Sequence, residues 1–137
     1  PRQIIEKVLI VFLVLVGPLH SQKGVDGYLA TIKEAVAAGG QIEFGGKTIE
    51  REGNYVEPTI ISGLKHDSPV VLRETFAPIV YLLKTKSLDE AIEWNNEVEQ
   101  GLSSSLFTKD LGKVFKVILI RKHSSKLFQT KIKEKKH

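Results

Sequence analysis

The 137-residue chain contains no cysteine and no methionine, and it has no apolar run long enough to cross a bilayer. Without cysteine there can be no disulfide, no thiolate zinc site and no cysteine nucleophile in these residues. A complete reading frame normally supplies an initiator methionine, so a chain that opens on Pro1 is expected to be a piece of a longer product. The run from Val8 to Val16 is apolar throughout but covers nine residues, whereas a spanning helix needs roughly 20. Arg2 and Lys7 precede it in the manner of a secretory leader, yet Glu6 sits in the charged part and no small-residue cleavage site follows. A buried strand, or sequence from outside the fold, is the expected role of that run. The histidines His20, His66, His123 and His137 share no spacing that would assemble a metal site.

Charge is unevenly distributed. The net charge of +4 combines +6 between Arg121 and His137 with −2 in the rest of the chain. The basic tail (Arg121, Lys122, Lys126, Lys131, Lys133, Lys135 and Lys136 against Glu134) could meet nucleic acid or anionic lipid. No aromatic platform or groove-reading motif accompanies it, so a solvated, disordered tail is the expectation, with neither specific nucleic-acid nor membrane binding.

Elsewhere the pattern alternates strands with helices. Val25, Tyr28, Leu29, Ile32 and Val36 recur at helical spacing within 21–38, and Gly39-Gly40 supplies a stop. Gln41 to Phe44 reads as a short strand, and Gly45-Gly46 as a turn. Tyr55 to Ile61 is extended, with Pro58 assigning it to an edge or to irregular structure. Ser68-Pro69 can open a short helix through Leu72. Ile79 to Leu83 has the continuous apolar character of a buried parallel strand. Ser87 and Glu90 form a capping box for a helix bearing Leu88, Ala91, Ile92, Asn95 and Val98 and ending at Gly101. Ser104 to Thr108 is the next strand. Asp110 caps a last helix with Leu111, Val114, Phe115, Ile118 and Leu119 on one face. Strand–helix alternation implies crossovers and a largely parallel sheet, so the class is α/β.

Several tempting motifs fail on inspection. Gly45-Gly46-Lys47-Thr48 lacks the glycine five residues before the Gly-Lys pair that a phosphate loop needs, because Gln41 occupies it. Ser103, Ser104 and Ser105 lack the Gly-x-Ser-x-Gly elbow of a nucleophilic serine. Glu74 and Phe76 are more informative. A dinucleotide enzyme needs an acceptor for ribose hydroxyls and an apolar surface beside the nicotinamide ring. Two residues apart on an extended segment, a carboxylate and a phenyl can point the same way.

Gly53-Asn54-Tyr55-Val56-Glu57-Pro58-Thr59-Ile60 is followed by Glu74-Thr75-Phe76-Ala77-Pro78, by Asn96, and by Gly101-Leu102-Ser103-Ser104-Ser105-Leu106-Phe107-Thr108-Lys109-Asp110. In that order and at those separations the segments resemble the C-terminal part of the catalytic domain of NAD-dependent aldehyde dehydrogenases. Their wording is most similar to the antiquitin branch, the α-aminoadipic semialdehyde dehydrogenases. Ala77 stands where glycine is common in the family, and Gln100 where many members have tyrosine. The resemblance runs over 17–116, leaving 1–16 as an apolar flank and 117–137 as a basic tail that do not match.

The resemblance implies part of a three-layer α/β catalytic domain with a mainly parallel sheet. It implies NAD as cofactor, with Glu74 binding the nicotinamide ribose and Phe76 packing near the nicotinamide. Further implications are an aldehyde substrate (α-aminoadipic semialdehyde in this branch), a homo-oligomer that is tetrameric in the family, and a cytoplasmic or mitochondrial location. The family's cysteine nucleophile, oxyanion-hole asparagine and general-base glutamate have no counterpart here. No catalytic residue is therefore assigned, and the isolated chain is expected to be inactive. Two other readings stay open at this point: a non-catalytic product that binds a full-length protomer, and a basic-tailed nucleic-acid or membrane module.

Overall fold

The computed structural model of the chain describes residues 16–101, 103–120 and 127–130. The apolar run before Val16 and most of the basic tail lie outside the described residues. Two compact units divide at Leu83 and Lys84.

The first unit is organised by helix α1 (Gln22–Ala37). The Ser21 hydroxyl caps it, accepting the Gly24 N–H at 3.3 Å, which satisfies one of the otherwise unpaired amides of the first turn. At the other end Gly40 N–H donates to Ala35 at 2.8 Å and Gly39 N–H to Val36 at 3.0 Å. That double closure needs a left-handed residue after the cap, and Gly39 supplies it with φ 94°. Val25, Tyr28, Ile32 and Ala35 form the buried face of α1, packed in one cluster with Val56, Ile61, Leu64 and Val70. Each large aliphatic side chain removed from water in this way contributes about 1.5–3 kcal/mol.

Strands β1 (Gln41–Phe44), β2 (Thr59–Ser62) and β3 (Ile79–Leu82) form a mixed sheet in the order β1-β2-β3. β1 runs antiparallel to β2 with an irregularity between Ile42 and Phe44. β2 runs parallel to β3, with Thr59 opposite Ile79 and Ser62 opposite Leu82. A parallel pair requires a crossover, and the short helix α2 (Pro69–Leu72) lies within it. Between β1 and β2, residues 47–57 fold back as a hairpin with Thr48 bridged to Val56. This is the fate of Gly45-Gly46-Lys47-Thr48: a hairpin entry with no helix behind it.

Two sequence expectations change here. Of the two readings of Pro58, the edge fails and the irregular one holds, since Tyr55 to Pro58 lie outside the three-stranded ladder. The ladder begins one residue later, at Thr59, so the missing N–H falls outside it and β2 occupies the centre of the sheet. Nor is β3 buried on both faces: Ile79 and Tyr81 face the core, while Val80 and Leu82 are exposed.

The second unit contains α3 (Leu88–Glu97), β4 (Ser103–Leu106), α4 (Leu111–Ile120) and β5 (Leu127–Thr130). Ser87 caps α3 by accepting the Glu90 N–H at 3.2 Å. Glu90 reaches back to the Lys86 N–H at 2.5 Å, a one-residue variant of the reciprocal box anticipated from sequence. The helix ends at Glu97 rather than Gly101, because Val98 is already extended. Asp110 starts α4, its Oδ1 accepting from Gly112 at 2.9 Å and Lys113 at 3.3 Å. Of the apolar stripe on α4 only Val114 is buried; Leu111, Phe115, Ile118 and Leu119 face solvent. β5 pairs parallel with β4, from Ser103 opposite Leu127 to Leu106 opposite Thr130. This part of the tail therefore belongs to a sheet, where a solvated segment was expected. Leu127-Phe128-Gln129-Thr130 is rich in strand formers, and α4 supplies the crossover that parallel pairing demands.

Candidate functional site

The two residues singled out from sequence lie on the segment joining α2 to β3. Helix α2 stops at Arg73, which is extended at φ −83°, ψ 133°. Glu74 follows and is exposed. The chain then turns at Phe76, the one non-glycine residue with positive φ among those described, at 53°. Ala77 and Ile79 return to the core cluster. The carbonyl of Pro78 accepts the Thr59 N–H at 2.8 Å, tying the segment to β2 just before β3 begins.

The geometry departs from a simple extended run, and the reason is local. Left-handed backbone brings Cβ close to the following carbonyl and costs about 1–2 kcal/mol for a residue with a side chain. Glycine and asparagine visit it freely, whereas a bulky aromatic there is uncommon. Nor does burial repay the cost, because Phe76 is 84% exposed. A phenyl ring held in solvent on a strained backbone contributes little to the stability of this unit. Residues kept in such conformations cluster at ligand sites.

Around the loop, the Arg73 guanidinium grips Glu34 of α1, with Nη2 at 2.6 Å and Nη1 at 3.5 Å from the two carboxylate oxygens. This partnership raises the Arg73 pKa further above its usual value. Burial pushes the Tyr81 hydroxyl above the ordinary phenol range, and the Arg73 charge draws it back. Tyr81 Oη makes no hydrogen bond of ordinary geometry, although Thr75 is near enough to lower its pKa as well.

A second polar node supports the loop from below. The Tyr28 hydroxyl donates to the Glu57 carbonyl at 2.7 Å and lies 2.6 Å from Thr59 Oγ1. That same Thr59 oxygen accepts the Gly46 N–H at 2.8 Å. Burial raises the Tyr28 pKa, and its bond to Thr59 opposes the rise. Pattern reading missed this node, since Tyr28 and Thr59 are 31 residues apart. The clue available in sequence was a tyrosine on the apolar face of α1, whose hydroxyl had to find a partner when buried.

Among the described residues no group of three His, Cys, Asp or Glu side chains could hold a metal. No helix among them is long and apolar enough to cross a membrane. A cavity of about 150 Å³ in the second unit is lined by Leu88, Ala91, Ile92, Asn95, Ser104, Ser105, Leu106 and Val117. None of those side chains can serve as a general acid or base near neutral pH.

Comparison with known proteins identifies the family. The pattern of the aldehyde dehydrogenase family matches residues 13–122. A putative aldehyde dehydrogenase family 7 member A1 homolog of Caenorhabditis elegans is 66% identical over 102 residues, 74% of this chain and 19% of that protein. The α-aminoadipic semialdehyde dehydrogenase of Rattus norvegicus is 54% identical over 103 residues, 75% of this chain and 19% of that protein. Among solved structures, an NAD+ complex of aldehyde dehydrogenase from Bacillus cereus superposes with a TM-score of 0.77 at 27% identity, covering 83% of this chain and 23% of that one. Betaine aldehyde dehydrogenase from Staphylococcus aureus, also with NAD+, gives 0.75 at 29% identity, covering 82% and 23%. The chain spans about a fifth of the length of the curated relatives it matches. With its α/β architecture, its family pattern over most of its residues and relatives of this identity, the chain belongs to the aldehyde dehydrogenase family.

Proposed function

We propose that these residues form a section of the catalytic domain of an antiquitin-like, NAD-dependent aldehyde dehydrogenase, and that Glu74 and Phe76 are its contacts to the cofactor. The observation that carries this reading is Phe76: exposed, aromatic and held at a positive φ that nothing in the core of its unit repays. The residues present fit a nicotinamide nucleotide. Glu74 offers an exposed carboxylate able to accept hydrogen bonds from two vicinal hydroxyls, and Phe76 offers an apolar ring two positions on. NAD, when bound, supplies the hydride acceptor for aldehyde oxidation. Glu74 would orient the ribose through charge-assisted hydrogen bonds, and Phe76 would exclude water from one side of the nicotinamide.

The chain has no cysteine, and the described residues present no other activated nucleophile, so by itself it is expected not to oxidise aldehydes. The name of the Rattus relative supports α-aminoadipic semialdehyde as the substrate of the whole enzyme.

The test is a chimera in which residues 17–116 replace the matching stretch of the Caenorhabditis relative. In it, Glu74→Gln keeps the shape but removes the charge from a hydrogen bond worth about 1.5–3 kcal/mol, a loss of about tenfold to a hundredfold in kcat/KM. With a deuterated aldehyde the variant shows a larger kinetic isotope effect, because a misplaced ring burdens the hydride step. Unchanged turnover together with an unchanged isotope effect would refute the assignment.

A further inference from the structure

The loop that carries Glu74 and Phe76 has little of its own to hold it. Among the described residues, the backbone N–H groups of Glu74, Thr75, Phe76 and Ala77 donate no hydrogen bond. The loop is pinned at its far end, where the Pro78 carbonyl accepts from Thr59 and Ala77 sits against the core. At its near end the backbone anchor is a single contact, Arg73 N–H to the Pro69 carbonyl at 3.1 Å, closing the four-residue helix α2. The Arg73 side chain adds the second near-end restraint by spanning to Glu34 on α1, the longest helix of the unit.

That contact differs from an ordinary surface ion pair. The guanidinium engages both carboxylate oxygens of Glu34, a planar fork that fixes orientation as well as distance. It joins residues 39 positions apart and lies directly next to Glu74 in the chain. Glu34 belongs to a helix whose opposite face is locked in the core through Ile32 and Ala35. Tyr81, on the strand that receives the loop, feels both Arg73 and Glu34.

We propose that the Glu34–Arg73 ion pair is a positioning device for cofactor binding: it sets the entry of the 74–78 loop, and through it the placement of Glu74 and the left-handed turn at Phe76. Neither residue touches the cofactor. The inference rests on the reading of Glu74 and Phe76 given above, but its structural half stands apart from that reading. Both side chains are about half exposed, at 50% and 42%, so the coupling is modest and sensitive to salt.

The experiment has two arms. In the 137-residue chain, nuclear magnetic resonance follows the amide-to-Hα Overhauser effect within Phe76, which is strong only at positive φ. Glu34→Gln weakens it, Arg73→Lys weakens it less, and the exchanged pair Glu34→Arg/Arg73→Glu restores it. Shifts of β2 residues Thr59 to Ser62 stay constant throughout, which separates positioning from general loosening. In the chimera, Glu34→Gln raises KM for NAD about two- to fivefold, the range of an exposed ion pair, with a smaller change in kcat, and the exchanged pair restores it. The proposal is overturned by a Phe76 signal indifferent to Glu34→Gln, by β2 shifts that move equally, or by an exchanged pair that rescues nothing. It is also overturned if KM for NAD stays constant in Glu34→Gln while Glu74→Gln impairs the same chimera. If Glu74→Gln is without effect but the Phe76 signal responds, the cofactor reading fails and the structural coupling survives.

Discussion

Replacing Phe76 in two ways separates its backbone from its ring. With 84% of the residue exposed, about 30 Å² of a side chain of roughly 200 Å² is buried. At about 25 cal/mol/Å² this contributes ~0.8 kcal/mol, which both Phe76→Ala and Phe76→Gly forfeit. Alanine keeps the left-handed penalty, so its net change is a loss of about 0.8 kcal/mol. Glycine recovers about 1–2 kcal/mol of that penalty and gives back about 0.4–1 kcal/mol through the greater freedom of its unfolded chain. Phe76→Gly therefore falls close to the parent and above Phe76→Ala, reversing the order usual at an ordinary strand position. A buried phenylalanine would instead lose about 3–5 kcal/mol on truncation to alanine. Urea titration followed by tyrosine fluorescence is the assay, since Tyr28, Tyr55 and Tyr81 all lie in the first unit. Equal slopes establish that the midpoints report stability. An alanine variant as stable as the glycine variant, or a loss near 3 kcal/mol in either, would refute the argument. In the chimera, Phe76→Gly weakens NAD use although the fold is unharmed, the usual relation where strain serves a ligand.

Two further outcomes follow from the same unit. A Cβ at Gly45 would stand 2.1 Å from the Pro58 carbonyl oxygen at a φ of 76°, so Gly45→Ala must displace backbone at the entry to the central strand. Loss of about 3 kcal/mol or more is expected, whereas an unchanged urea midpoint would show that the turn is not packed against Pro58. Tyr28 has its folded pKa raised from 10.0 by burial, so the folded state holds the proton more tightly than the unfolded state. Its contribution is complete below about pH 10 and declines as pH rises through the folded value. Tyr28→Phe should flatten that alkaline decline, and a decline of equal steepness in the variant would show that Tyr28 does not cause it.

The sequence was most legible where local chemistry decides the outcome. Ser87 and Asp110 each cap the helix expected of them, because a short oxygen-bearing side chain before an apolar period has few alternatives. Gly39-Gly40 closes α1 for a similar reason. What depended on distant partners was less visible. Pro58 could be read as an edge residue because nothing nearby reveals that the ladder starts at Thr59. The apolar run of β3 does not disclose which of its faces is covered, and Val80 and Leu82 are exposed. Strand β5 was hidden under the charge of its surroundings, since Leu127-Phe128-Gln129-Thr130 is short and only pairing with β4 defines it. At the candidate site, residue types pointed to Glu74 and Phe76, but the positive φ of Phe76 is invisible in a phenylalanine codon and emerges only from the backbone. The Glu34–Arg73 fork was likewise out of reach, because a pair 39 residues apart has no periodic signature.

The hydroxyl of Thr59 joins three elements that could otherwise loosen one at a time. It accepts from Gly46 in the turn after β1, meets Tyr28 from α1, and belongs itself to β2. Opening any one of them strands a buried polar atom in the other two, at a cost of about 1–3 kcal/mol. Helix, turn and central strand therefore open and close as one cooperative block, and fraying that begins at the hairpin tip near Gly53 stops at Gly46. The segment from Glu74 to Pro78 joins this block at its Pro78 end, through Thr59. The surface proposed for the cofactor is thereby mounted, at its Pro78 end, on the part of the first unit whose motions are collective and rare.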